Sequence, residues 1–266
     1  YAYGQQSGSA SVGFTLSNPW LFGMVLGAPV RTGSAGARVY TYQNSTLNKE
    51  VRTVQVEVGV DASTNMVRTL KGGVVGAVSL STAVGGLVDC STDITYGQET
   101  APSTSLGAPV LPSVQSPYTF AHAELTFAGI PVVQCQDVSL NLSQNAELLY
   151  GLNSHAAKDA YRKVLDITGS FKASWVDKVL LEHLLDQLLA NGTGETIGAG
   201  SNAELEFKLT FTKSATESIT INCYGLTLND LGISGLEPVE VLFSDASFTA
   251  KTIKVVANST MESEDT

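Results

Sequence analysis

Positive charge is scarce in this sequence. Of its 266 residues only 15 are Lys or Arg, against 25 Asp or Glu, and the formal net charge is −10. Binding to nucleic acid depends on Lys and Arg displacing counterions from phosphates, and no basic run occurs anywhere. Such a chain makes a poor ligand for nucleic acid. The acidity has two readings: solubility, and a surface that must not stick to an anion.

Cysteine is equally sparse. Cys90, Cys135 and Cys223 are odd in number and widely spaced, which fits neither a disulfide framework nor a zinc site and leaves buried or idle thiols. No apolar run approaches the roughly 20 residues of a membrane span, so no membrane insertion is expected. No signal-peptide pattern opens the sequence, since residues 1–11 are polar and rich in Gly and Ser. The four N-x-S/T sequons, at Asn44, Asn141, Asn191 and Asn258, are what a Ser/Thr-rich chain produces by chance.

The usual catalytic patterns are missing too. His122, His155 and His183 share no metal-ligand spacing. No nucleophile elbow is present, and no calcium loop of alternating Asp and Asn. Gly192-Thr193-Gly194 follows a helical pattern instead of preceding one and lacks a Gly-Lys-Ser/Thr ending, so it reads as a cap and loop, not a phosphate cradle. These absences point to a non-enzymatic protein with no catalytic, cofactor or metal residues. The remaining enzymatic reading is a site assembled from residues far apart in sequence.

What is present is a core-forming, strand-rich chain. It is 43% hydrophobic and only 15% charged, the opposite of a disordered composition. Its frequent Val, Thr, Ser and Gly suit strands and turns. Residues 1–17 read as a flexible N-terminal arm. Asn18, Pro19 and Gly27 bracket a short helix to about Leu26, with Asn18 as cap, Pro19 at the first position and Gly27 as stop. From Val51 the period becomes two: Val54, Val56, Val58 and Val60 alternate with polar or small residues, a half-buried strand. Strands follow at 65–70, 74–82 and 86–96, the last two joined by a turn at 83–86. This N-terminal β-rich region spans 18–98.

Four of the eight prolines, Pro102, Pro109, Pro112 and Pro117, fall in the next stretch, so 99–117 reads as a linker or crossing loop. Beyond it, Ala121, Ala123, Leu125 and Phe127 alternate with His122, Glu124 and Thr126, and Gly129-Ile130-Pro131 turns the chain. Val138, Leu140 and Leu142 alternate with Asp137, Ser139 and Asn141. Leu165, Ile167, Phe171 and Ala173 alternate with Asp166, Thr168, Ser170 and Lys172. A helix is predicted over 175–190. Ser174 with Asp177 forms a capping-box-like start, eight aliphatic residues from Val176 to Leu189 form a broad apolar face, and Asn191-Gly192 supplies the cap. Strands resume at 203–212, at 219–223, over 239–250 with a bulge near Ser244-Asp245, and at 252–257. Residues 259–266 form an acidic tail. Val78-Ser79-Leu80-Ser81 and Val138-Ser139-Leu140-Asn141 share a faint likeness across the two halves.

The succession around the 175–190 helix is specific. Asp166-Ile167-Thr168-Gly169-Ser170-Phe171-Lys172-Ala173 leads into it, Leu188-Leu189-Ala190-Asn191-Gly192 leads out, and Leu205-Glu206-Phe207-Lys208-Leu209-Thr210-Phe211 follows. This order resembles the core of tail tube proteins of long-tailed, siphovirus-like viruses of bacteria and archaea. Val138 to Leu142 with Leu149-Tyr150-Gly151-Leu152, Ile219 to Leu228, Gly235 to Ala250, and Asn18-Pro19-Trp20-Leu21-Phe22-Gly23 resemble further pieces of that family.

The resemblance implies a mainly β fold: an antiparallel β-sandwich over 118–258 with one flanking amphipathic helix. It implies a structural virion protein, a major tail tube subunit assembled in the host cytoplasm. Its rings, usually hexameric, would share an inner β-barrel and stack into a channel for DNA ejection. It implies self-association and contact with tape-measure, tail terminator and distal tail proteins, with viral DNA passing unbound. The chain is longer than compact members. Its N-terminal region is either an outer domain or a second copy of the fold, and a second copy would make the ring a trimer. Closing a sheet across subunits removes strand edges that would otherwise aggregate.

A DNA conduit must not bind DNA. The polar strand positions Asp137, Ser139, Asn141, Asp166, Thr168, Ser170, Ser247 and Thr249 are therefore the candidate lumen-facing residues, against the alternative that they face outer solvent. The 1–11 arm and the 97–117 and 145–162 loops are candidates for ring-to-ring contact. Rival readings are another tail ring component (distal tail or terminator) and a secreted adhesive β-sandwich module.

Overall fold

The computed structural model describes residues 7–43, 52–60, 66–103, 116–152, 154–174, 205–234 and 243–260. In chain order the elements are β1 (Gly8–Thr15), α1 (Trp20–Leu26), β2 (Val30–Ser34), β3 (Ala37–Gln43), β4 (Thr53–Val60), β5 (Met66–Ala83) and β6 (Asp89–Ser103). A 3-10 turn at Phe120–His122 leads to β7 (Ala123–Phe127), β8 (Ile130–Pro131), β9 (Cys135–Ser143), β10 (Glu147–Leu149), β11 (Asp159–Tyr161) and β12 (Asp166–Ser174). The last are β13 (Glu206–Ser214), β14 (Glu217–Tyr224), β15 (Thr227–Ser234), β16 (Phe243–Ala250) and β17 (Thr252–Ser259).

Two large antiparallel sheets and a separate two-stranded one, β10-β11, result among the described residues. The larger runs β1-β6-β5-β9-β12-β16-β15, with β4 also paired to β5, and the smaller runs β2-β3-β17-β14-β13-β7-β8. Among the described residues both are open-edged and neither closes into a barrel. The segments on either side of the Pro-rich stretch contribute to both sheets: β5 pairs β9, and β3 pairs β17.

The period-two pattern explains the packing. In β9, Val138, Leu140 and Leu142 are buried, as are Ile167, Phe171 and Ala173 in β12. Leu205, Phe207, Leu209, Phe211, Ile219, Ile221 and Cys223 are buried from the smaller sheet. Aromatic rings connect the two faces: Phe127–Phe171 at 5.4 Å between centroids, Phe171–Phe207 at 6.3 Å and Phe207–Phe248 at 4.6 Å. The mainly β, antiparallel reading therefore stands.

α1 closes one end of this core. Leu21, Phe22, Val25 and Leu26 are buried, and Trp20 meets Tyr40 edge-on at 4.9 Å. The Asn18 side-chain oxygen accepts from the Trp20 N–H at 3.2 Å, and the Gly27 N–H, at φ 92°, closes onto the Gly23 carbonyl at 3.2 Å. The expected stop at Gly27 is in place, but the cap position falls on Pro19, one residue later than expected, and Asn18 bonds the Trp20 N–H from just outside the helix. The 175–190 helix, its capping box and Gly192-Thr193-Gly194 lie outside the described residues.

Several expectations change. Residues 8–15 are not part of a flexible arm: β1 makes eight consecutive register pairs with β6, because a paired neighbour overrides a Gly/Ser-rich composition. The strands expected at 65–70 and 74–82 are one strand, β5, which passes through Gly72 at φ 62° and is bulged against β6. β6 continues to Ser103, into the expected linker. Ala121 and His122 belong to the 3-10 turn, not to a strand. The β7–β8 turn lies at Ala128 and Gly129, both at positive φ. The bulge expected in β16 is on its partner instead: β12–β16 pairs without interruption, and β15–β16 shifts register between Leu228 and Asp230. Residues 145–162 include the β10–β11 hairpin.

Candidate functional site

The larger sheet buries one face in the core and turns the other outward. In an antiparallel pair, residues directly opposite share a face, so the register defines the outward surface row by row. One row runs Gly13, Ser91, Ser79, Asn141, Thr168, Thr249. The next runs Thr15, Asp89, Ser81, Ser139, Ser170, Ser247. Asp137, Lys172 and Asp245 form a third, and Asp93, Ala77, Ser143 and Asp166 a fourth.

All eight candidate lumen residues lie on this surface, on the adjacent strands β9, β12 and β16. Asp137, Asn141, Asp166, Thr168 and Thr249 are exposed, and Ser139, Ser170 and Ser247 are half-buried between strands. Sequence reading missed their continuation onto β5, β6 and β1. The signal was there in the alternation of Val78, Ser79, Leu80 and Ser81, but nothing in it indicated that β5 pairs β9.

Short polar side chains bond along the surface. Ser139 and Ser170 hydroxyls are 2.7 Å apart, and so are those of Ser79 and Ser91. Asn145 donates to Asp166 at 2.8 Å, and Asn229 donates to Thr249 at 2.8 Å. Asp89, Asp93, Asp137, Asp166 and Asp245 bring negative charge. Across these rows the cation among the described residues is Lys172, which lies 3.9 Å from Asp245. No large apolar side chain stands in them.

The outward face of the smaller sheet is different in kind. Lys208, Asn222 and Lys254 share one row, and Val39, Val256 and Tyr224 also point outward there. The larger sheet therefore carries the surface that offers a phosphate least to hold.

A second exposed feature is the β10–β11 hairpin. Glu147 accepts hydrogen bonds from Tyr161 at 2.7 Å and from Lys163. The Lys163 bond holds the Glu147 carboxyl below its usual range, and the same bond raises Lys163. Around it Leu152 is 96% exposed and Val164 76%.

The three cysteines are free thiols. Burial pushes Cys90 and Cys223 up to about 12 and Cys135 up to about 11. His122 Nδ1 accepts from the Thr119 N–H at 3.0 Å, a structural role in the turn. Among the described residues no group of three or more His, Cys, Asp or Glu side chains is placed to hold a metal ion, and no helix is long and apolar enough to cross a membrane.

A sequence-family model described as "Phage tail tube protein" matches residues 2–251. The chain belongs to the phage tail tube protein family. It is thereby a structural component of the virion tail. The family assignment covers β1 through β16 and includes both halves of the larger sheet. A search of curated proteins finds no match.

Proposed function

We propose that this tail tube family member is the major subunit of the tube, polymerising as stacked rings whose bore is lined by the outward face of the larger sheet. The observation that carries the reading is the registered Ser/Thr/Asn/Asp surface from β1 to β16. Hydroxyls and amides already bonded to one another, with carboxylates among them, neither attract nor anchor a phosphate backbone. DNA then slides past instead of sticking.

The open edges support the same reading. β1 and β15 end the larger sheet and pair on one side only among the described residues. Edges of this kind are aggregation sites unless covered, and a neighbouring subunit in a ring covers both. The β10–β11 hairpin, with Leu152 and Val164 in solvent, is the proposed contact to the next ring, and tape-measure, terminator and distal tail proteins are the expected partners at the tube's interior and ends.

Negative-stain imaging of the purified protein tests this. Long tubes of stacked rings with a central channel are expected. Single rings that never stack would assign the chain to a terminal tail component, and monomers without rings would reject the proposal.

A further inference from the structure

The β10–β11 hairpin is fixed to the larger sheet at two places. The first is its base. Gln144 directly follows β9 and is only 1% exposed. Its N–H donates to the Gly76 carbonyl at 2.9 Å, and its side-chain amide donates to the Val75 carbonyl. Its own carbonyl accepts from the Lys163 N–H at 3.2 Å. Gly76 is the extra residue where β5 bulges against β6, between Val75 and Ala77. A bulge disrupts the ladder locally, and a buried carbonyl there needs another donor. Gln144 supplies that donor and ties in the returning leg of the hairpin through Lys163. Beside it Asn145, at φ 47°, donates to Asp166 at 2.8 Å.

The second place is the tip. Gly97 of β6 is buried, and a Cβ built on it would lie 2.7 Å from the Ala157 Cβ and 3.4 Å from the Ala157 nitrogen. Gly97 shares the parity of Ser91, Asp93 and Thr95, so this contact is on the outward face. Across from it in β5, between the Lys71–Gln98 and Gly73–Tyr96 pairs, stands Gly72. Neither strand carries a side chain there, and the segment around Ala157 rests directly on the sheet. The Lys158 N–H closes that segment onto the Leu149 carbonyl at 2.8 Å. Seated this way, the hairpin leaves Leu152 and Val164 turned to solvent.

Backbone conformation does not account for this glycine. Gly97 is not among the residues at positive φ, and Gly within a strand is less stable than Ala. What the position requires is room for Ala157. A hairpin fixed at base and tip is also ordered before a partner arrives, which lowers the cost of binding.

We infer that Gly97 is a positioning residue for the ring-to-ring contact: it seats the hairpin tip so that Leu152 and Val164 are presented at a fixed place. This rests on the reading of the hairpin as that contact. Gln144 fixes the base, and Gly97 sets how closely the tip lies on the sheet.

Gly97→Ala tests the inference, alone and combined with Ala157→Gly, which removes the methyl group that the new side chain would meet. Amide exchange of the unassembled protein reads the seat, and tube length in negative stain reads its use. In Gly97→Ala the 147–161 amides should exchange at least about tenfold faster. Its melting temperature should not fall, and its tubes should be cut to short stacks. The double variant should recover both slow exchange and full-length tubes. Unchanged exchange in Gly97→Ala, or no recovery in the double variant, overturns the seat. Faster exchange with full-length tubes overturns the positioning role, provided that Leu152→Asp with Val164→Asp still shortens them. If that pair leaves the tubes intact as well, the contact reading falls and this inference with it.

Discussion

Gly169 lies directly opposite Phe248 in the β12–β16 register, and a Cβ at position 169 would sit 2.4 Å from the Phe248 ring and 3.0 Å from the Ser139 carbonyl. The missing side chain is what lets a fully buried ring lie flat over the β12 backbone and reach Phe207. Inner-face packing depends on this close approach. Gly169→Ala should therefore cost about 1–3 kcal/mol, as overpacking of a core does. Urea unfolding of the unassembled protein checks it; unchanged stability would mean that Phe248 packs elsewhere.

The outward face tolerates charge where the core does not. Thr168 and Asn141 are exposed neighbours, so lysines at both positions should change stability by no more than about 0.5 kcal/mol. Tubes carrying them should retain duplex DNA in a sedimentation assay at about 50 mM salt and release it by about 200 mM. Wild-type tubes should retain none at either salt concentration.

Stacking should separate from folding at the hairpin. Leu152→Asp with Val164→Asp replaces two solvent-exposed apolar residues, and the melting temperature should not move. Tube length in negative stain should collapse to short stacks or single rings. Full-length tubes from this variant would remove the hairpin from the ring-to-ring contact, as would full-length tubes after deletion of 145–162.

Stability should fail at alkaline pH first. Burial raises Tyr118, with Glu217 adding to the shift, from 10.0 to about 12, and raises Cys90 and Cys223 from 9.0 to about 12. A group whose folded-state value lies above its unfolded one contributes fully below the unfolded value and loses that contribution as pH rises through the folded one. Lys213, lowered by burial, works in the opposite direction, but it is a single group against three. The melting temperature should be flat from pH 7 to about 9 and fall between about 9 and 12.

The same burial should silence the thiols. At pH 8 the native protein should react with less than one equivalent of a thiol reagent per chain, because Cys90 and Cys223 are buried and Cys135 is half-covered. Denatured protein should titrate all three.

Much of this was legible in the chain, and the exceptions share a cause. Val138, Leu140 and Leu142 against Asp137, Ser139 and Asn141 show their two faces by period alone, and the structure keeps them. The same holds for β12, β13 and the outer half of β16. β1 was not legible, because Gly8, Ser9 and Ser11 acquire extended structure only through β6, about 80 residues away. Tyr40 and Tyr42 are fully buried yet sit in a short strand whose near partner, β2, is exposed along its whole length and whose other partner, β17, comes from the far end of the chain, so their neighbours in sequence do not mark them as core. The eight candidate residues could be named from the chain. That they form one surface depends on register, which is a property of pairs of strands and not of any one of them.

A reconstruction of the assembled tube at side-chain resolution tests the central claim most directly. The account predicts a channel wall formed by the larger sheet, with Asn141, Thr168, Ser170 and Ser247 facing the bore and Lys208 and Lys254 on the outside. A channel lined by the smaller sheet, with those lysines facing the DNA path, would contradict it.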